Sequence, residues 1–285
     1  MSLRPSQQPQ AVALTIAGSD SGGNAGMQAD LRVFHGFGVH GCTALTALTA
    51  QNPDGVSGVQ PVTPAFLHRQ LEAIFAVYEV HAIKTGMLLN AELIEVVAQV
   101  LQHHRNIPLV VDPVMIATSG ARLLEEAAVA ALQRQLLPLA SLITPNLPEA
   151  AALLGQAVTG DEAVAEAARE LAARFRCAVL LKGGHRHFTA RASDYLGLGG
   201  GKILRLRTPV VRDPLSLHGT GCTLSAAITA ALATGCSLTE AVVVGKEFVY
   251  QAIRAGRTLG TRATVLGMVQ RKKPTHVQVE PIVCK

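Results

Sequence analysis

The chain alternates short apolar segments, typical of buried strands, with segments that have the period of amphipathic helices. Residues 11–18 form an apolar, β-branched run that ends at glycine, whereas Leu93, Val97, Val100 and Leu101 repeat at helical spacing. Parallel strands need long crossovers, usually helical, so this alternation predicts a mostly parallel sheet with helices on both faces. We therefore expect an α/β fold of three layers, α/β/α.

The alternation continues along most of the chain. We predict strands at 11–18, 42–50, 80–84, 108–112, 141–144 and 178–182, then a hairpin of 194–196 and 203–206. We predict helices at 27–37, 91–103, 127–137 and 163–175, and helices that begin near 63, 221 and 238. No linker or repeat divides these elements. We expect one domain at 11–258, a flexible N-terminal tail at 1–10, and a C-terminal extension at 259–285 of unknown role.

Glycine or polar residues follow strand after strand at the point where each strand ends. They are residues 18–26, 51–52, 84–87, 112–115, 144–149 and 182–185. In an open α/β sheet, ligands bind beyond the carboxyl ends of the strands. Six such strand ends in order predict a long cleft along one edge of the sheet.

The segment from His218 to Thr223 contains two glycines and leads into a run of small apolar residues that we predict to be a helix. The start of a helix directs backbone N–H groups and the positive end of its dipole at one point, which favours a phosphate. Cys222 lies inside this turn, where its thiolate would be favoured. Alternatively, Cys222 packs beneath the turn.

Composition excludes several classes of protein. With 285 residues, 49% of them hydrophobic, the chain can bury a large core. The net charge of +5 is dispersed apart from Arg271–Lys273, which argues against a nucleic-acid partner and suits an anionic substrate or an ordinary surface. The five cysteines are widely spaced without a C-x-x-C pair, so neither a disulfide framework nor a zinc site is expected.

Targeting signals are also absent from the sequence pattern. Residues 1–10 lack the apolar core of a signal peptide, and residues 221–239 are uncharged but rich in small residues, so we expect a buried helix and no membrane association. We expect a cytoplasmic protein. The glycines at 18, 22, 23 and 26 do not have the spacing of a dinucleotide fingerprint, and no P-loop is present.

Six segments together resemble one family, the hydroxymethylpyrimidine/phosphomethylpyrimidine kinases of the ribokinase-like superfamily. They are Thr15–Asp20, Gly26–Leu31, Thr46–Asn52, Thr144–Ala150, Leu181–His185 and His218–Ala226. The resemblance runs from about residue 12 to 255 in the same order. It implies a ribokinase-like fold and MgATP-dependent phosphorylation of 4-amino-5-hydroxymethyl-2-methylpyrimidine and of its monophosphate, in thiamine biosynthesis. We also expect a homodimer.

The resemblance implies catalytic roles for the turn. The backbone N–H groups of Gly219, Thr220, Gly221 and Cys222 would hold the transferring phosphoryl group. Most ribokinase relatives have aspartate as the base at the position of Cys222, and the pyrimidine kinases have cysteine. We expect the helix N-terminus to lower the pKa of this thiol so that it accepts the substrate proton.

Four further residues are implied at the phosphate end of the cleft. Asn146 and Glu149 match the family's N-x-x-E signature for ATP and Mg²⁺, and Asp112 is a second candidate for the metal region. Lys182 would contact ATP phosphates as a point charge. Alternatively, Glu149 only interacts with a helix dipole, Asp112 is a turn residue before proline, and Lys182 is an ordinary solvated lysine.

For the pyrimidine, the resemblance points to Asp30 and Gln51, with Gly18, Met87 and Val114 lining the pocket. The amide of Gln51 can match both the donor and the acceptor edges of an aminopyrimidine. Alternatively, Asp30 lies on a helix surface and Met87 in the core.

The sequence departs from the family pattern at two places, and two other functions remain open. Residues 212–217 differ from the polar run usual before the turn, which puts the preference for the nucleotide in doubt, and Asn24 stands where glycine is common. A pyridoxal kinase and a regulatory binding protein without turnover are the alternatives. The histidines at 103, 104, 185 and 187 lack a third ligand and predict no metal site.

Overall fold

The computed structural model describes residues 10–115, 126–183, 191–212, 214–215, 218–261 and 263–282. Its strands are β1 (Val12–Asp20), β2 (His40–Asn52), β3 (Gly55–Pro61), β4 (Ala82–Thr85), β5 (Leu109–Val111), β6 (Leu142–Ile143), β7 (Ala178–Lys182), β8 (Arg191–Gly197), β9 (Ile203–Pro209), β10 (Arg257–Leu259), β11 (Ala263–Val265) and β12 (Gln278–Ile282). Ten of these strands form one sheet in the order β12-β9-β8-β7-β6-β5-β4-β1-β2-β3. Two predictions concern residues outside these ranges: the flexible N-terminal tail at residues 1–9, and the absence of a metal site at His185 and His187.

The sheet is parallel through its centre and antiparallel at its edges. Strands β2, β1, β4, β5, β6 and β7 pair in parallel. Strands β3, β8, β9 and β12 are antiparallel to their neighbours, and β8 with β9 is the predicted hairpin. The prediction of a mostly parallel sheet is confirmed. The carboxyl ends of six strands consequently meet at one edge.

The helices cover both faces of the sheet. They are α1 (Gly26–Gly36), α2 (Pro64–Phe75), α3 (Ala91–Leu101), α4 (Glu126–Ala131), α5 (Leu147–Leu154), α6 (Asp161–Phe175), α7 (Thr220–Ala233) and α8 (Leu238–Arg254). One apolar cluster joins α2, α3, α4, α5 and α6 to the sheet, and a second joins α1, α7 and α8 to the opposite face. The three-layer α/β/α architecture is thereby confirmed.

Local sequence explains where several helices begin and end. Thr63 caps α2 by accepting a hydrogen bond from the backbone N–H of Phe66, and Pro64 takes the first helical position, as predicted. The predicted helix at 127–137 is shorter than expected. A π-helical turn at Leu132–Leu136 and a 3₁₀ turn at Leu137–Leu139 follow α4, since Pro138 cannot donate the hydrogen bond that an α-helix would need there.

Helix α7 is buried on nearly all sides, which explains the uncharged run in the sequence. Its alanines, serine and threonines let it pass closely between α1 and α8; a Cβ on Gly245 of α8 would lie 2.6 Å from Ile228. The hydroxyl of Thr229 donates to the carbonyl of Ser225, so this polar group is satisfied within the helix. Among the described residues, no helix is both long and apolar enough to span a membrane.

The C-terminal residues extend the same sheet. Strand β12 pairs with β9, and Glu280 accepts hydrogen bonds from Arg205 (2.8 Å) and Arg207 on β9. Between β11 and β12 the chain runs along α1, where the N–H of Arg271 donates to the carbonyl of Gly36 at 2.9 Å. The boundary expected after residue 258 falls inside β10.

Candidate active site

The predicted anion-binding turn is held in place by a close backbone contact. Gly219 has a φ of +81°, and a Cβ there would lie 1.9 Å from the carbonyl oxygen of Asn24. Only glycine fits this position, because a side chain would meet both an unfavourable backbone region and a rigid carbonyl. Gly219 is the N-cap of α7, so Gly221 and Cys222 lie in the first helical turn, where N–H groups have no intrahelical acceptor.

The loop that meets this turn is organised by Asp20. One carboxylate oxygen of Asp20 accepts from the N–H of Gly22 at 2.8 Å, and the other accepts from Asn24 at 2.9 Å and Ala25 at 2.8 Å. Three hydrogen bonds to one carboxylate fix the backbone of residues 22–25. The Asn24 carbonyl is thereby held against Gly219.

Three charged side chains converge from the ends of β5, α5 and β7. The Nζ atom of Lys182 lies 2.9 Å from Oδ1 of Asp112 and 4.0 Å from Oε2 of Glu149. Glu149 also forms a reciprocal capping box with Asn146, and the two hydrogen bonds are 2.8 Å long. A Cβ on Gly221 would lie 3.4 Å from Lys182 Nζ and 3.8 Å from Asp112 Oδ2. The charged cluster therefore borders the first turn of α7.

Neighbouring opposite charges offset the effect of burial on the pKa values of two of these three groups. Burial alone would raise the pKa of Asp112, but Lys182 and Lys84 outweigh it and hold that pKa below its ordinary value. Burial would lower the pKa of Lys182, but Asp112 and Glu149 outweigh it and raise it. For Glu149, burial dominates and raises the pKa to about 7, against the attraction of Lys182. Asp112 and Lys182 are thus ionised at neutral pH, whereas Glu149 titrates there.

The expectation of a lowered pKa at Cys222 is wrong for the unliganded protein. Burial raises the pKa of this thiol, and the neighbouring carboxylates of Asp30 and Asp112 add to the effect. Lys84 and a hydrogen bond from the N–H of Gly26 act in the opposite direction without overcoming it. Loss of solvation therefore costs the thiolate more than Lys84 and the Gly26 N–H return.

Asp30 lies beneath the cleft and has no exposed surface. Its two carboxylate oxygens both lie 2.7 Å from Nζ of Lys84, and Thr15 donates its hydroxyl to one of them at 2.6 Å. The alternative that Asp30 lies on a helix surface is wrong, because its side chain is fully buried and both of its oxygens already contact Lys84 or Thr15. Asp30 instead neutralises a buried lysine that acts electrostatically on Cys222 and Asp112.

The other residues expected at the pyrimidine end do come together. The side-chain nitrogen of Gln51 lies 3.4 Å from Nε2 of His218, although 167 positions separate the two residues. A Cβ on Gly18 would lie 2.4 Å from Cε of Met87, so these two residues are in contact. Val114 lines a small cavity with Gly86 and Asp112.

A second buried ion pair supports the end of β7. Lys246 on α8 contacts Oδ2 of Asp194 on β8, 2.5 Å away. The other oxygen of Asp194 accepts from the N–H of Gly183 at 3.0 Å, directly after Lys182. This arrangement holds the backbone beside Lys182.

Asp20, Lys84 and His218 lie within the sequence motifs, but the sequence predicts no role for them. A lysine in an otherwise apolar strand was the available signal for Lys84, because a buried lysine needs a carboxylate partner. Asp194 and Lys246 carried no comparable pattern. Their pairing depends on two elements that are 52 residues apart in the chain.

The two carboxylates expected to bind a metal do not form a closed site. Within the described ranges, no three His, Cys, Asp or Glu side chains converge as metal ligands. Mg²⁺ needs no such cage, since it is commonly held by one or two carboxylates together with water and substrate phosphates. The buried pair of Asp112 and Glu149 fits that requirement.

Comparisons with known proteins agree on one family. The family described as phosphomethylpyrimidine kinase matches residues 20–267. A hydroxymethylpyrimidine/phosphomethylpyrimidine kinase of Rhizobium meliloti is 47% identical over 252 residues, which cover 87% of this chain and 92% of that protein. The thiamine biosynthesis bifunctional protein ThiED of Geobacter sulfurreducens is 45% identical over 252 residues, 88% of this chain; the chain spans about half (51%) of that longer protein.

A solved structure extends the comparison to ligands. The pyridoxal kinase from Staphylococcus aureus in complex with AMP-PCP and pyridoxal is similar with a TM-score of 0.84 and 34% identity, covering 96% of this chain and 100% of that chain. The fold and the order of the elements are therefore those of a kinase that has been seen with an ATP analogue.

Proposed function

Because this chain belongs to the phosphomethylpyrimidine kinase family, we propose that its cleft transfers the γ-phosphoryl group of ATP to a pyrimidine bound between β1, β2 and β4. The enzyme is a phosphotransferase of thiamine biosynthesis that acts on hydroxymethylpyrimidine and on its phosphate. We also propose a role in this reaction for each residue of the cleft.

One observation carries this proposal, namely the 3.4 Å distance between Gln51 and His218. Gln51 belongs to the strand end that we assign to the pyrimidine, and His218 precedes the glycine turn that we assign to the phosphoryl group. A pyrimidine held at Gln51 would therefore direct its hydroxymethyl group towards the glycine turn. Phosphoryl transfer depends mainly on such positioning and on the stabilisation of charge.

The phosphoryl end combines backbone and side-chain groups. The N–H groups of Gly219, Thr220, Gly221 and Cys222 would receive the transferring oxygens, because a helix N-terminus stabilises negative charge. Lys182 would neutralise ATP phosphates as a charge that Asp112 holds in place. Asn146 positions Glu149 through the capping box and would contact the nucleotide.

Asp112 and Glu149 would hold Mg²⁺ at the edge of this cluster. When bound there, the ion would neutralise part of the negative charge of the phosphates. Glu149 is suited to this role because its burial leaves its negative charge poorly compensated, and a cation at this position would favour the ionised carboxylate.

Cys222 would accept the proton of the substrate hydroxyl as a thiolate. Its raised pKa means that the resting enzyme holds a neutral thiol, so the thiolate is a minor form at neutral pH. Lys84, buried beneath it, is the positive charge that favours the thiolate when it forms. Asp30 keeps that lysine in position.

The pyrimidine end is built from Gly18, Gln51, Met87 and Val114. Gln51 offers an amide donor and acceptor to the ring, and the contact between Gly18 and Met87 sets the width of the pocket. A pyridoxal kinase is the second candidate, because the similar S. aureus structure carries that vitamer and covers 96% of this chain.

One assay tests these proposals together. Consumption of ATP is measured with hydroxymethylpyrimidine, its monophosphate and pyridoxal side by side, with and without Mg²⁺. We expect turnover of both pyrimidines and a lower kcat/KM for pyridoxal. A higher value for pyridoxal would replace the first function with the second, and no turnover of any of the three would leave a binding protein.

Assembly and location are further proposals. We propose a homodimer through the β2–β3 hairpin at the sheet edge, where Leu48 and Val59 are exposed. Light scattering would give the mass of a dimer, and a monomer would exclude it. A cytoplasmic location agrees with Cys42, Cys177, Cys222 and Cys236, which are all free thiols.

A further inference from the structure

A second cavity lies behind the glycine turn, between α1, α7, α8 and the C-terminal segment 266–270. Its polar lining includes Asn24, Arg32 and Thr223, and its apolar lining includes Phe248 and Ala252. Asp112, Glu149 and Lys182 do not line it, so this cavity is separate from the cleft proposed for catalysis.

Two polar side chains of the lining belong to residues that are largely buried. Asn24 is 9% exposed and Thr223 is 5% exposed. In the part of the chain that the structure describes, neither the amide of Asn24 nor the hydroxyl of Thr223 makes a side-chain hydrogen bond. Both residues line the cavity, so the amide and the hydroxyl are available to a molecule bound there.

The charge of the cavity comes from Arg32. Its guanidinium donates to the carbonyl of Gly23, which uses only part of a fork of five N–H donors. Asp20 acts on Arg32 electrostatically, but its oxygens are engaged by the amides of residues 22–25. The guanidinium of Arg32 and the amide of Asn24 line the same cavity and together can bind an oxyanion, and the ring of Phe248 in that lining favours an apolar body.

We propose that this cavity binds a small organic oxyanion, a carboxylate or phosphate ester with an apolar body, and that its occupancy is transmitted to the glycine turn. Arg32 and Asn24 bind the oxyanion, and Phe248, Ala252 and Met268 contact the apolar part. This inference goes beyond the proposed kinase activity and does not require it.

The connection to the turn is short. The carbonyl of Asn24 lies against the α-carbon of Gly219, and the N–H of Thr223 donates to the carbonyl of Gly219 at 2.9 Å. A ligand that engages the side chains of Asn24 and Thr223 therefore holds both sides of Gly219. Restricting these residues stabilises one geometry of the first turn of α7.

A single introduced tryptophan provides the binding test. The chain has no tryptophan, and Met268 lines the cavity while remaining 76% exposed, so Met268→Trp adds a local reporter without disturbing the core. The probes are benzoate, phenyl phosphate and, as a neutral compound of the same ring size, benzyl alcohol. We expect saturable fluorescence changes with one or both anions and none with benzyl alcohol over the same range. Equal responses to all three would overturn the proposal.

Three variants in this reporter background locate the binding. Arg32→Gln should weaken binding of the anion about tenfold or more, since it removes a charge-assisted pair. Arg69→Gln, an exposed arginine on α2, is the matched control and should change nothing. Lys182→Gln should also leave the response unchanged. Loss of the response in Lys182→Gln but not in Arg32→Gln would place the anion in the catalytic cleft and refute the inference.

Hydrogen exchange tests the transmission independently of turnover. With the anion bound, we expect at least a threefold slowing of amide exchange at Ala25, Cys222 and Thr223, and no slowing in Arg32→Gln. Binding without slowed exchange in this turn would refute the transmission. Because neither readout uses ATP, failure of the kinase assay and failure of this inference remain distinguishable.

Discussion

The Nζ atom of Lys84 lies 2.7 Å from both carboxylate oxygens of Asp30, and neither side chain has any exposed surface. The pair joins β4 to α1 beneath Cys222. Burial opposes charge on each group, and only the close contact raises the pKa of the lysine so that it stays protonated. The cleft is therefore built over a buried ion pair.

Removal of one partner should be costly. Asp30→Asn leaves the Lys84 ammonium without a counter-charge, and we expect the free energy of unfolding to fall by about 3–5 kcal/mol in urea titration. The double variant Asp30→Asn with Lys84→Met should recover at least half of that loss, because no buried charge remains. A loss below about 1 kcal/mol in Asp30→Asn would show that the pair is not ionic.

Gly219→Ala should abolish activity, because its Cβ would lie 1.9 Å from the carbonyl of Asn24. We expect kcat/KM to fall at least about 100-fold, comparable to the loss of a donor to the reacting group. Gly235→Ala, just past the other end of α7, is the matched control; its φ is +86° and nothing lies within 4 Å of the added Cβ. It should cost about 1–2 kcal/mol of stability and leave kcat/KM unchanged. Similar kinetics in both variants would contradict the role of the contact.

Gly18→Ala should narrow the pyrimidine pocket. The new Cβ would lie 2.4 Å from Cε of Met87. The terminal methyl and sulfur of Met87 would therefore have to move. We expect KM for hydroxymethylpyrimidine to rise about tenfold, a typical effect of one misplaced methyl group. Met87→Ala in the same chain should restore most of the affinity, whereas Gly58→Ala on β3 should have no effect. An unchanged KM in Gly18→Ala would remove both residues from the pocket.

The stability of the metal-free protein should depend on Glu149. Its pKa is raised from 4.5 to about 7, so the folded state binds this proton more tightly than the unfolded state does. The stabilisation is complete below pH 4.5 and is lost as the pH rises through 7, by about 3 kcal/mol in total. Glu149→Gln should therefore unfold with less dependence on pH between 5 and 8 than the native chain, measured with a chelator present.

Glu240→Gln is the control for that comparison. Glu240 has the same position in the capping box of α8, but hydrogen bonds from Ser237 lower its pKa, so its own contribution changes at lower pH. The Glu240→Gln variant should follow the native chain between pH 5 and 8. If Glu149→Gln also follows the native chain, the raised pKa of Glu149 is refuted.

The rate should increase with pH if Cys222 acts as a thiolate. Because burial raises the pKa of this thiol, we expect kcat/KM to rise up to tenfold per pH unit from pH 7 to beyond 9. Cys222→Ala should lose about 100-fold or more of the rate together with this slope. Cys222→Asp should retain turnover with a flat profile over the same range. A flat profile in the native enzyme would exclude the thiolate as base.

Several parts of the fold could be predicted from local sequence. The six parallel strands, the Thr63 cap and the hairpin of β8 and β9 follow from patterns within about ten residues, and the structure confirms them. Strand β12 was not predicted, because its partner β9 lies about 70 residues earlier and its own five residues include a proline, which is unfavourable within a strand.

In the candidate site too, local sequence predicts some features of the glycine turn and not others. The sequence by itself determined that a two-glycine turn would start a buried helix, since small residues and glycine have strong local preferences. It also placed Asp112, Glu149 and Lys182 at strand or helix ends.

Only the tertiary structure decided what surrounds those groups. It buried Asp30 against Lys84, set the Asn24 carbonyl on Gly219, and raised the pKa of Cys222 where the helix alone would have lowered it. The reason is physical. Backbone preferences act over a few residues, whereas solvation and charge depend on every group that packs nearby, and those groups come from distant parts of the chain.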